Sequence, residues 1–290
     1  MGTQKTPLTR HLILAIFSTV LIACGGGGSG GSSNTAGATP PATPAPAPVP
    51  EPEPEPTPEP ALLTQTEAAR FLSQTTFGPN SDAIESLMDE GLEGWLSAEL
   101  AKPATLHLED VLSRFPADGR FYDDQGNALP ELVFAASDSF WEKAITADDQ
   151  LRQRMAFALS QILVVSSQSD LVRAPQTVAA YMDVLTEGAF GNFRDLIDNV
   201  TYSPAMAVYL TYLRNQKADP NTGRVPDENY ARELLQLFTL GLVQLNSDGT
   251  PTLDATGAPI ELYDNSDITG LAKVFTGLSF SGTGFSTPLA

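Results

Sequence analysis

From Pro44 to Pro60, proline occupies every second position, and this alternation limits the fold of the chain more than any other feature. Proline fixes φ and has no N–H group, so such a stretch cannot enter a helix or the interior of a sheet. The preceding Gly25–Gly31 is almost pure glycine, which is typical of a flexible linker. We therefore predict a disordered linker over 24–60 and one folded domain over 61–290, which is long enough for a hydrophobic core.

Helix start and stop signals recur along the predicted domain. Thr64 and Glu67 have the spacing of a capping box, and Ser81 can cap the next helix, which Gly91 closes. The composition of 116–130 is that of a loop. Apolar segments of helical period predict further helices over 131–146, 149–165, 175–189, 192–202, 204–214, 227–240 and 266–276.

One pair of segments has the composition of short β-strands. Thr250–Leu253 and Pro259–Tyr263 flank the turn sequence Asp254–Gly257, which predicts a β-hairpin between the last two helices. The sequence contains neither an internal repeat nor the alternation of strands and helices that a parallel sheet requires. The predicted fold class is therefore all-α, a multi-helix globular domain with a small β-hairpin insertion.

The first 24 residues have the organisation of a bacterial leader. Lys5 and Arg10 precede an apolar run from residue 12 to residue 23, which is shorter than the roughly 20 residues that a membrane-spanning helix needs. The run ends in Leu-Ile-Ala before Cys24 and resembles the lipobox of bacterial lipoproteins. This resemblance implies a signal peptide over 1–23, cleavage before Cys24, and lipidation of that residue, which is the only cysteine in the chain.

The residue after the cysteine and the charge of the chain predict its location and partners. Gram-negative lipoproteins retained in the inner membrane commonly carry Asp at that position, so Gly25 favours the outer membrane. The formal net charge is −19, so anionic headgroups are poor partners, and membrane attachment would depend on the lipid on Cys24. The same charge, without a Lys/Arg cluster, predicts no binding to nucleic acid.

Two predicted helices are apolar nearly all round, which is typical of helices in a protein interior. Glu233 interrupts the apolar surface of 227–240, and Arg154 interrupts that of 149–165. Because a buried charge needs a partner, we expect Glu233 to meet an arginine in a polar seam between core helices. The candidate partners are Arg154, Arg194 and Arg214.

The sharpest enzymatic interpretation of this seam is a carboxylate-based hydrolase. Glu233 would act as the general acid, with Asp227 or Glu228 as its partner. The same residues have simpler structural roles, because Asp227 can cap the helix and Glu228 can pair with Arg232 one turn later. The structural interpretation is favoured for all of these polar residues. The candidate catalytic residues are Glu233, Arg232, Asn229 and Arg154.

A metal site is a second chemical interpretation. Asn246, Asp248 and Asp254 resemble part of a calcium loop, but Ala255 stands where an EF-hand has its distal glutamate. A turn at Asp248 and the following glycine explains the same residues. His107 is the only histidine after the predicted leader, and we expect an ordinary residue at the surface or the edge of the core. No nucleotide-binding motif is found, so no cofactor is predicted.

Several stretches of the sequence resemble a known bacterial family, called domain of unknown function 1800. The resemblance covers essentially all of 65–280, and 226–241 is its most specific part. The stretches that carry it are 69–79, 154–166, 189–196, 204–206, 209–210, 214–215, 226–241, 248–250 and 274–277.

The resemblance implies a mostly helical, exported domain without an established activity. It also implies a partner, because members are often encoded beside a sulfatase-like companion family, domain of unknown function 1501. The family's domain continues well beyond the position of Gly277, so we expect this chain to be a fragment that holds the amino-terminal half of it. Leu278, where the family tends to have Trp, is a smaller departure.

Together these features predict a membrane-tethered lipoprotein of the bacterial cell envelope. Its expected role is to bind or assemble with another envelope protein, such as the sulfatase-like companion, because no complete set of catalytic residues is found in the sequence. The alternative is an envelope hydrolase that acts on glycan or a sulfated polymer through the carboxylates of 227–240.

The lipidation of Cys24 can be tested directly. Labelled palmitate should enter the wild-type chain and should not enter Cys24→Ser, because the acylated group is the cysteine thiol. The variant should also leave the membrane fraction, since the lipid is its predicted anchor. Intact-mass measurement of the wild type should show a chain that lacks residues 1–23. A mature protein that still begins at Met1 contradicts the prediction.

Overall fold

The computed structural model describes residues 63–280, and the structural statements below concern this part of the chain. Contacts between Cα atoms divide the chain into Met1–Thr57 and Pro58–Ala290, and the described residues all belong to the second unit. The predicted leader, the linker and Cys24 lie outside the described residues. Within 63–280, no helix has both the length and the apolar character needed to cross a bilayer.

The described residues are mostly helical, which confirms the predicted all-α class. A short 3-10 turn, Asp170–Arg173, precedes α7, and a π-helical segment, Leu234–Thr239, continues directly from α10. The α-helices are α1 (Gln65–Thr75), α2 (Ser81–Ala101), α3 (Leu108–Ser113), α4 (Pro130–Val133), α5 (Ala135–Thr146), α6 (Gln150–Ser160), α7 (Pro175–Gly188), α8 (Phe193–Thr201), α9 (Pro204–Tyr209), α10 (Asn229–Glu233) and α11 (Asn265–Val274).

The first two helices begin and break largely where the start and stop signals in the sequence predict. Thr64 and Glu67 form the capping box of α1, with both reciprocal hydrogen bonds present. Helix α2 is capped by Asn80, one residue before the predicted Ser81, because the Asn80 side chain accepts the N–H of Ala83 at 2.8 Å. Gly91 interrupts α2 with φ 70°, a conformation that glycine adopts without a steric penalty.

One helix was not predicted, and two predicted helix ends are wrong. Helix α3 lies in a stretch for which no helix was predicted, and the helix predicted over 149–165 ends at Ser160. The N–H groups of Gln161 and Ile162 bind carbonyls three residues back, which tightens and ends the last turn. The helix predicted over 204–214 ends at Tyr209, because Thr211 has a φ of 61°.

The predicted helix 227–240 differs most from the structure. Its second half is π-helical, since the N–H of Leu240 binds the carbonyl of Leu235, five residues back, at 2.9 Å. Phe238 is buried, but Leu237 and Leu240 are 59% and 55% exposed. The prediction that this helix is interior is therefore wrong for its second half. The extra residue in the turn rotates Leu237 out of the apolar stripe that a regular 3.6-residue period predicts.

Helix α7 lies at the centre of the described domain and contacts α3, α5, α6, α8 and α9. Its buried residues Tyr181 and Leu185 belong to the main hydrophobic core. At another side of this core the rings of Tyr212 and Tyr230 stack with centroids 4.3 Å apart. A smaller cluster joins α1 and α2 through Ala68, Leu72, Leu87 and Trp95.

The predicted β-hairpin is present, with an additional segment. Leu253 pairs with Pro259 across the predicted turn, and residues 242–246 form a third extended segment that pairs with both arms. The N–H of Gln244 binds Ile260, that of Ile260 binds Thr252, and that of Thr252 binds Gln244, at 2.9, 3.0 and 2.8 Å. Three backbone hydrogen bonds thus close a ring between the three segments.

The central position of α7 predicts a large effect of truncation inside it. Leu185 is 1% exposed, so Leu185→Ala should lower the free energy of unfolding by about 2–5 kcal/mol, measured by urea denaturation. Ile145→Ala is the matched control, because Ile145 is 79% exposed and its loss should change stability by less than about 0.5 kcal/mol. Equal effects of the two variants would show that α7 is not the centre of the core.

Candidate functional site

A cavity of about 270 Å³ lies where α5, α6 and α7 meet. Small residues open it, because Ala136 on α5 and Ala156 on α6 leave room that larger side chains would fill. Its volume is near the lower end of the roughly 300–1,000 Å³ typical of small-molecule sites. The lining consists of His107, Ala136, Ser137, Phe140, Trp141, Gln153, Ala156, Phe157, Ser160, Val165, Ser167, Val178, Tyr181, Met182, Leu185 and Thr186.

The lining is mainly apolar and carries no Asp, Glu, Lys or Arg. Four aromatic rings contribute to it, and Trp141, which is 62% exposed, connects it to the surface. The polar groups are the imidazole of His107, the amide of Gln153 and several hydroxyls. An apolar cavity with a few converging polar groups is the usual form of a small-molecule site.

His107 is fixed at the cavity by a buried carboxylate of α7. Asp183 accepts the N–H of His107 at 2.6 Å and that of Leu108 at 3.1 Å, and so holds the first residues of α3 against α7. His107 is 2% exposed, and its Nδ1 lies 3.1 Å from Oγ of Ser139. The expectation of an ordinary surface or core-edge histidine is therefore wrong, because the Asp183 bonds draw His107 into the interior.

A second carboxylate, that of Asp110 on α3, lies near the buried Ser139 and His107. Burial raises the pKa of Asp110, but hydrogen bonds from Ser139 and Arg114 and the charge of Lys143 outweigh it, so the pKa lies below its ordinary value. Asp110 is therefore an ionised carboxylate at neutral pH.

The protonation of His107 is set by its burial. Removal from water lowers the pKa of His107 below its ordinary 6.5, and the nearby charge of Asp183 opposes this effect without cancelling it. Lys143 also lowers the pKa, whereas Asp110 and Asp149 raise it. His107 is therefore a neutral imidazole at neutral pH.

The amide of Gln153 is positioned by the loop before α3. Its Nε2 donates to the carbonyl of Thr105 at 2.9 Å and to Oδ2 of Asp149 at 3.2 Å. Asp149 is 1% exposed and also accepts the N–H of Thr105 at 2.9 Å. The wall of the cavity beside His107 is therefore rigid, because its polar groups are bonded to backbone from two separate elements.

The structure does not pair Glu233 with Arg154 or Arg194, two of the three candidate arginines. Within 63–280, no hydrogen bond or ion pair joins Glu233 to Arg154 or Arg194, although Glu233 is half-buried. Arg154 instead packs over the rings of Phe77 and Phe157, 5.5 and 5.4 Å from their centroids. Stacking on aromatic rings provides the contact that we had expected from a carboxylate.

The other candidate catalytic residues make local contacts. Glu228 binds Arg232 at 3.1 Å, which is the predicted pairing one turn apart, and also accepts from Thr269. Asp227 accepts the N–H of Asn229 at 2.9 Å, as predicted for a residue at the helix start. Asn229 is exposed and donates to a threonine hydroxyl at 2.8 Å. The structure brings none of these residues to the cavity lining.

The candidate metal ligands lie in two separate turns. Asp248 accepts the N–H and hydroxyl of Thr250 at 3.0 and 2.7 Å, and Asp254 makes the same pair of bonds to Thr256 at 2.8 and 2.7 Å. Asn246 is exposed and donates to Thr250. In the described part of the chain, no three residues among His, Cys, Asp and Glu are grouped so that they could hold a metal ion.

Sequence reasoning missed the residues that position His107. Asp183 and Ser139 lie 76 and 32 positions after it, so no local motif links the three residues. One signal was available, because Asp183 lies in the middle of an apolar helical segment, where a carboxylate needs donors. The stretch 154–166 was noted for its family resemblance, and it supplies Ala156, Phe157, Ser160 and Val165 to the lining.

These features define an all-α domain with an uncharged cavity that opens to the surface where α5, α6 and α7 meet. The chain belongs to the family of proteins of unknown function named DUF1800, whose model matches residues 70–288. This confirms the family that the sequence resembles. No curated protein and no solved structure matches the chain.

The lowered pKa of His107 predicts a pH-dependent stability. The unfolded chain has the ordinary pKa of 6.5 and binds the proton more readily, so stability is full above that value and falls as pH decreases below it. Urea denaturation at about pH 7 and about pH 5 should show this loss in the wild type. His107→Gln, which cannot titrate, should show a smaller loss. Identical losses in both proteins would exclude His107 as the source of the pH dependence. The lowered pKa of Asp110 affects stability in a separate pH range, because its contribution is lost only as the pH falls below the ordinary value of 3.8.

Proposed function

We propose that this chain is a lipid-anchored bacterial envelope protein whose helical domain binds a small, largely apolar molecule. The observation that carries the proposal is the cavity between α5, α6 and α7, which has aromatic walls and no charged lining residue. Burying an apolar ligand there is favourable in proportion to the apolar area removed from water. The fixed groups of His107 and Gln153 would orient a polar end of the ligand.

The arrangement supports binding better than catalysis. Ser139 is fully buried and bonded to His107 through Nδ1, so it is not placed as a nucleophile that His107 could activate at the cavity. Asp183 and Asp149 are committed to backbone donors. Residues bonded in this way keep the wall of the cavity in a fixed shape, and a binding site requires a wall of this kind.

The envelope location of the proposed function is supported by sequence features. Cys24 follows an apolar run and precedes a glycine-rich and proline-rich stretch, as in the lipoproteins that it resembles. A long spacer after a lipid anchor would let the domain reach ligands or partners away from the bilayer surface. In a Gram-negative source, Gly25 favours the outer membrane.

A protein partner is the second part of the proposal. Leu237, Leu240 and Leu242 are each more than half exposed, and exposed apolar side chains of this kind are common at protein interfaces. The partner that we propose for them is the sulfatase-like companion that the family resemblance implies. The alternative of a hydrolase acting through Glu233 has weaker support, because Asp227 and Glu228 already have structural bonds.

Filling the cavity provides the test of ligand binding. Ala156 is buried in the lining, and Ala156→Leu should occupy the space that a ligand needs. Octan-1-ol and its methyl ether are the probes, detected by thermal stabilisation and by tryptophan fluorescence, to which Trp95 and Trp141 both contribute. Saturating ligand stabilises a protein by about 2.7 kcal/mol at one hundred times its Kd.

The matched control is Ala158→Leu, which lies on the same helix but is exposed and outside the lining. Wild type and Ala158→Leu should bind either or both probes, whereas Ala156→Leu should lose binding and keep its helical circular dichroism. If the wild type binds neither probe, or Ala156→Leu binds as well as the wild type, the cavity is not the binding site.

A further inference from the structure

We infer that a groove between α2 and the carboxyl end of α5 binds a small organic cation, in which an ammonium group is attached to an apolar body. The groove has a volume of about 770 Å³, within the roughly 300–1,000 Å³ typical of small-molecule sites. It shares only Trp141 with the lining of the cavity between α5, α6 and α7. The inference therefore concerns a second site and goes beyond the proposed function.

Apolar side chains that remain open to solvent line the groove. Trp141 and Ile145 lie one turn apart on α5, and they are 62% and 79% exposed. Leu72 and Trp95, which belong to the buried cluster between α1 and α2, also contribute to the lining. A ligand with an apolar body would be stabilised by removing the exposed pair from water.

The charge of the lining favours a cation. Four carboxylates and one ammonium group line the groove, which gives a formal charge of −3. The ammonium group, on Lys102, is already bonded to the buried Glu99 and to the carbonyl of Asp148 at 2.7 Å. The side chains of Asp82, Glu90 and Asp148 are exposed, and none of them forms an ion pair in the described part of the chain. A cation in the groove would supply the opposite charge that these carboxylates lack.

The arrangement of the carboxylates favours an organic cation over a metal ion. Among the residues that the structure describes, no three His, Cys, Asp or Glu residues are grouped so that they could hold a metal ion. An ammonium group needs no such cluster, because it is attracted by carboxylates at longer distances and by the face of an aromatic ring such as that of Trp141. The carboxylates repel an anion, and a neutral molecule gains only the burial of apolar surface.

Three probes that share one apolar body test the charge preference. They are 4-phenylbutylammonium, 4-phenylbutan-1-ol and 4-phenylbutanoate, and the protein is the full chain with Cys24→Ser, so that no attached acyl group competes. The chain contains two tryptophans, of which Trp95 lines the groove but not the cavity. With both labelled as 5-fluorotryptophan, the ¹⁹F resonance of Trp95 reports binding in the groove, and Trp141→Phe assigns it by removing the other resonance. The ammonium probe should bind at least about tenfold more tightly than each of the other two probes.

Removing the charge of the groove without changing its shape should remove this preference. A variant that combines Asp82→Asn, Glu90→Gln and Asp148→Asn should prefer the ammonium probe by about twofold or less. The carboxamide at position 90 can still accept the hydrogen bond that Ser86 donates at 2.5 Å. In the protein with its native carboxylates, raising the salt concentration should weaken binding of the ammonium probe and leave binding of the alcohol unchanged. The salt titration does not depend on a variant that folds.

A matched variant controls for the negative charge of the whole protein, which attracts any cation. It combines Glu85→Gln, Asp89→Asn and Glu93→Gln, three exposed positions of α2 outside the groove. The net charge changes by the same amount as in the groove variant, so a loss caused by overall charge would be equal in the two proteins. The control should bind the ammonium probe as tightly as the wild type.

The outcomes separate this inference from the proposed function. Ala156→Leu should leave binding of the ammonium probe unchanged, because Ala156 lines the cavity and not the groove. An unmoved Trp95 resonance, equal or tighter binding of the alcohol or the butanoate, or equal losses in the two triple variants overturns the inference. Loss of ammonium binding in Ala156→Leu overturns it too, because the cation would then occupy the cavity. Binding of octan-1-ol in the cavity is measured separately and decides the proposed function alone.

Discussion

A carboxylate in the middle of an apolar helix must find hydrogen-bond donors, and Asp183 determines how this domain is assembled around that need. Its two oxygens take the N–H groups of His107 and Leu108, which are the unpaired donors at the start of α3. One interaction therefore satisfies both a buried charge and a helix terminus. It also fixes the backbone of His107 at the edge of the cavity, so that the side chain's orientation follows from the position of α3 on α7.

The site combines rigidity with low polarity. The Gln153 amide is bonded to Thr105 and Ser139 to His107, so polar groups in and behind the wall are tied to other elements. The space between them remains apolar because α5 and α6 contribute alanine where they approach α7. A ligand would therefore meet a surface that needs little reorganisation, which favours affinity.

The predictable part of the structure is the part encoded by neighbours in sequence. The capping box of α1, the break at Gly91 and the turn of the β-hairpin depend on residues within a few positions of one another, and all three are present. The His107 site joins residues from three helices, so no local pattern could identify it. The expected pairing of Glu233 with Arg154 is not found, because hydropathy cannot distinguish a π-helical turn from an α-helix, or an arginine on aromatic rings from an arginine beside a carboxylate.

The closed ring of hydrogen bonds between Gln244, Thr252 and Ile260 has a consequence for behaviour in a crowded compartment. An isolated hairpin offers unpaired backbone on both outer sides, and another chain can extend it strand by strand. Here each of the three segments pairs with the other two. At these three residues, the backbone groups that would be unpaired in a hairpin therefore bond to one another. The unit thus presents fewer unpaired backbone groups to another chain than an isolated hairpin would.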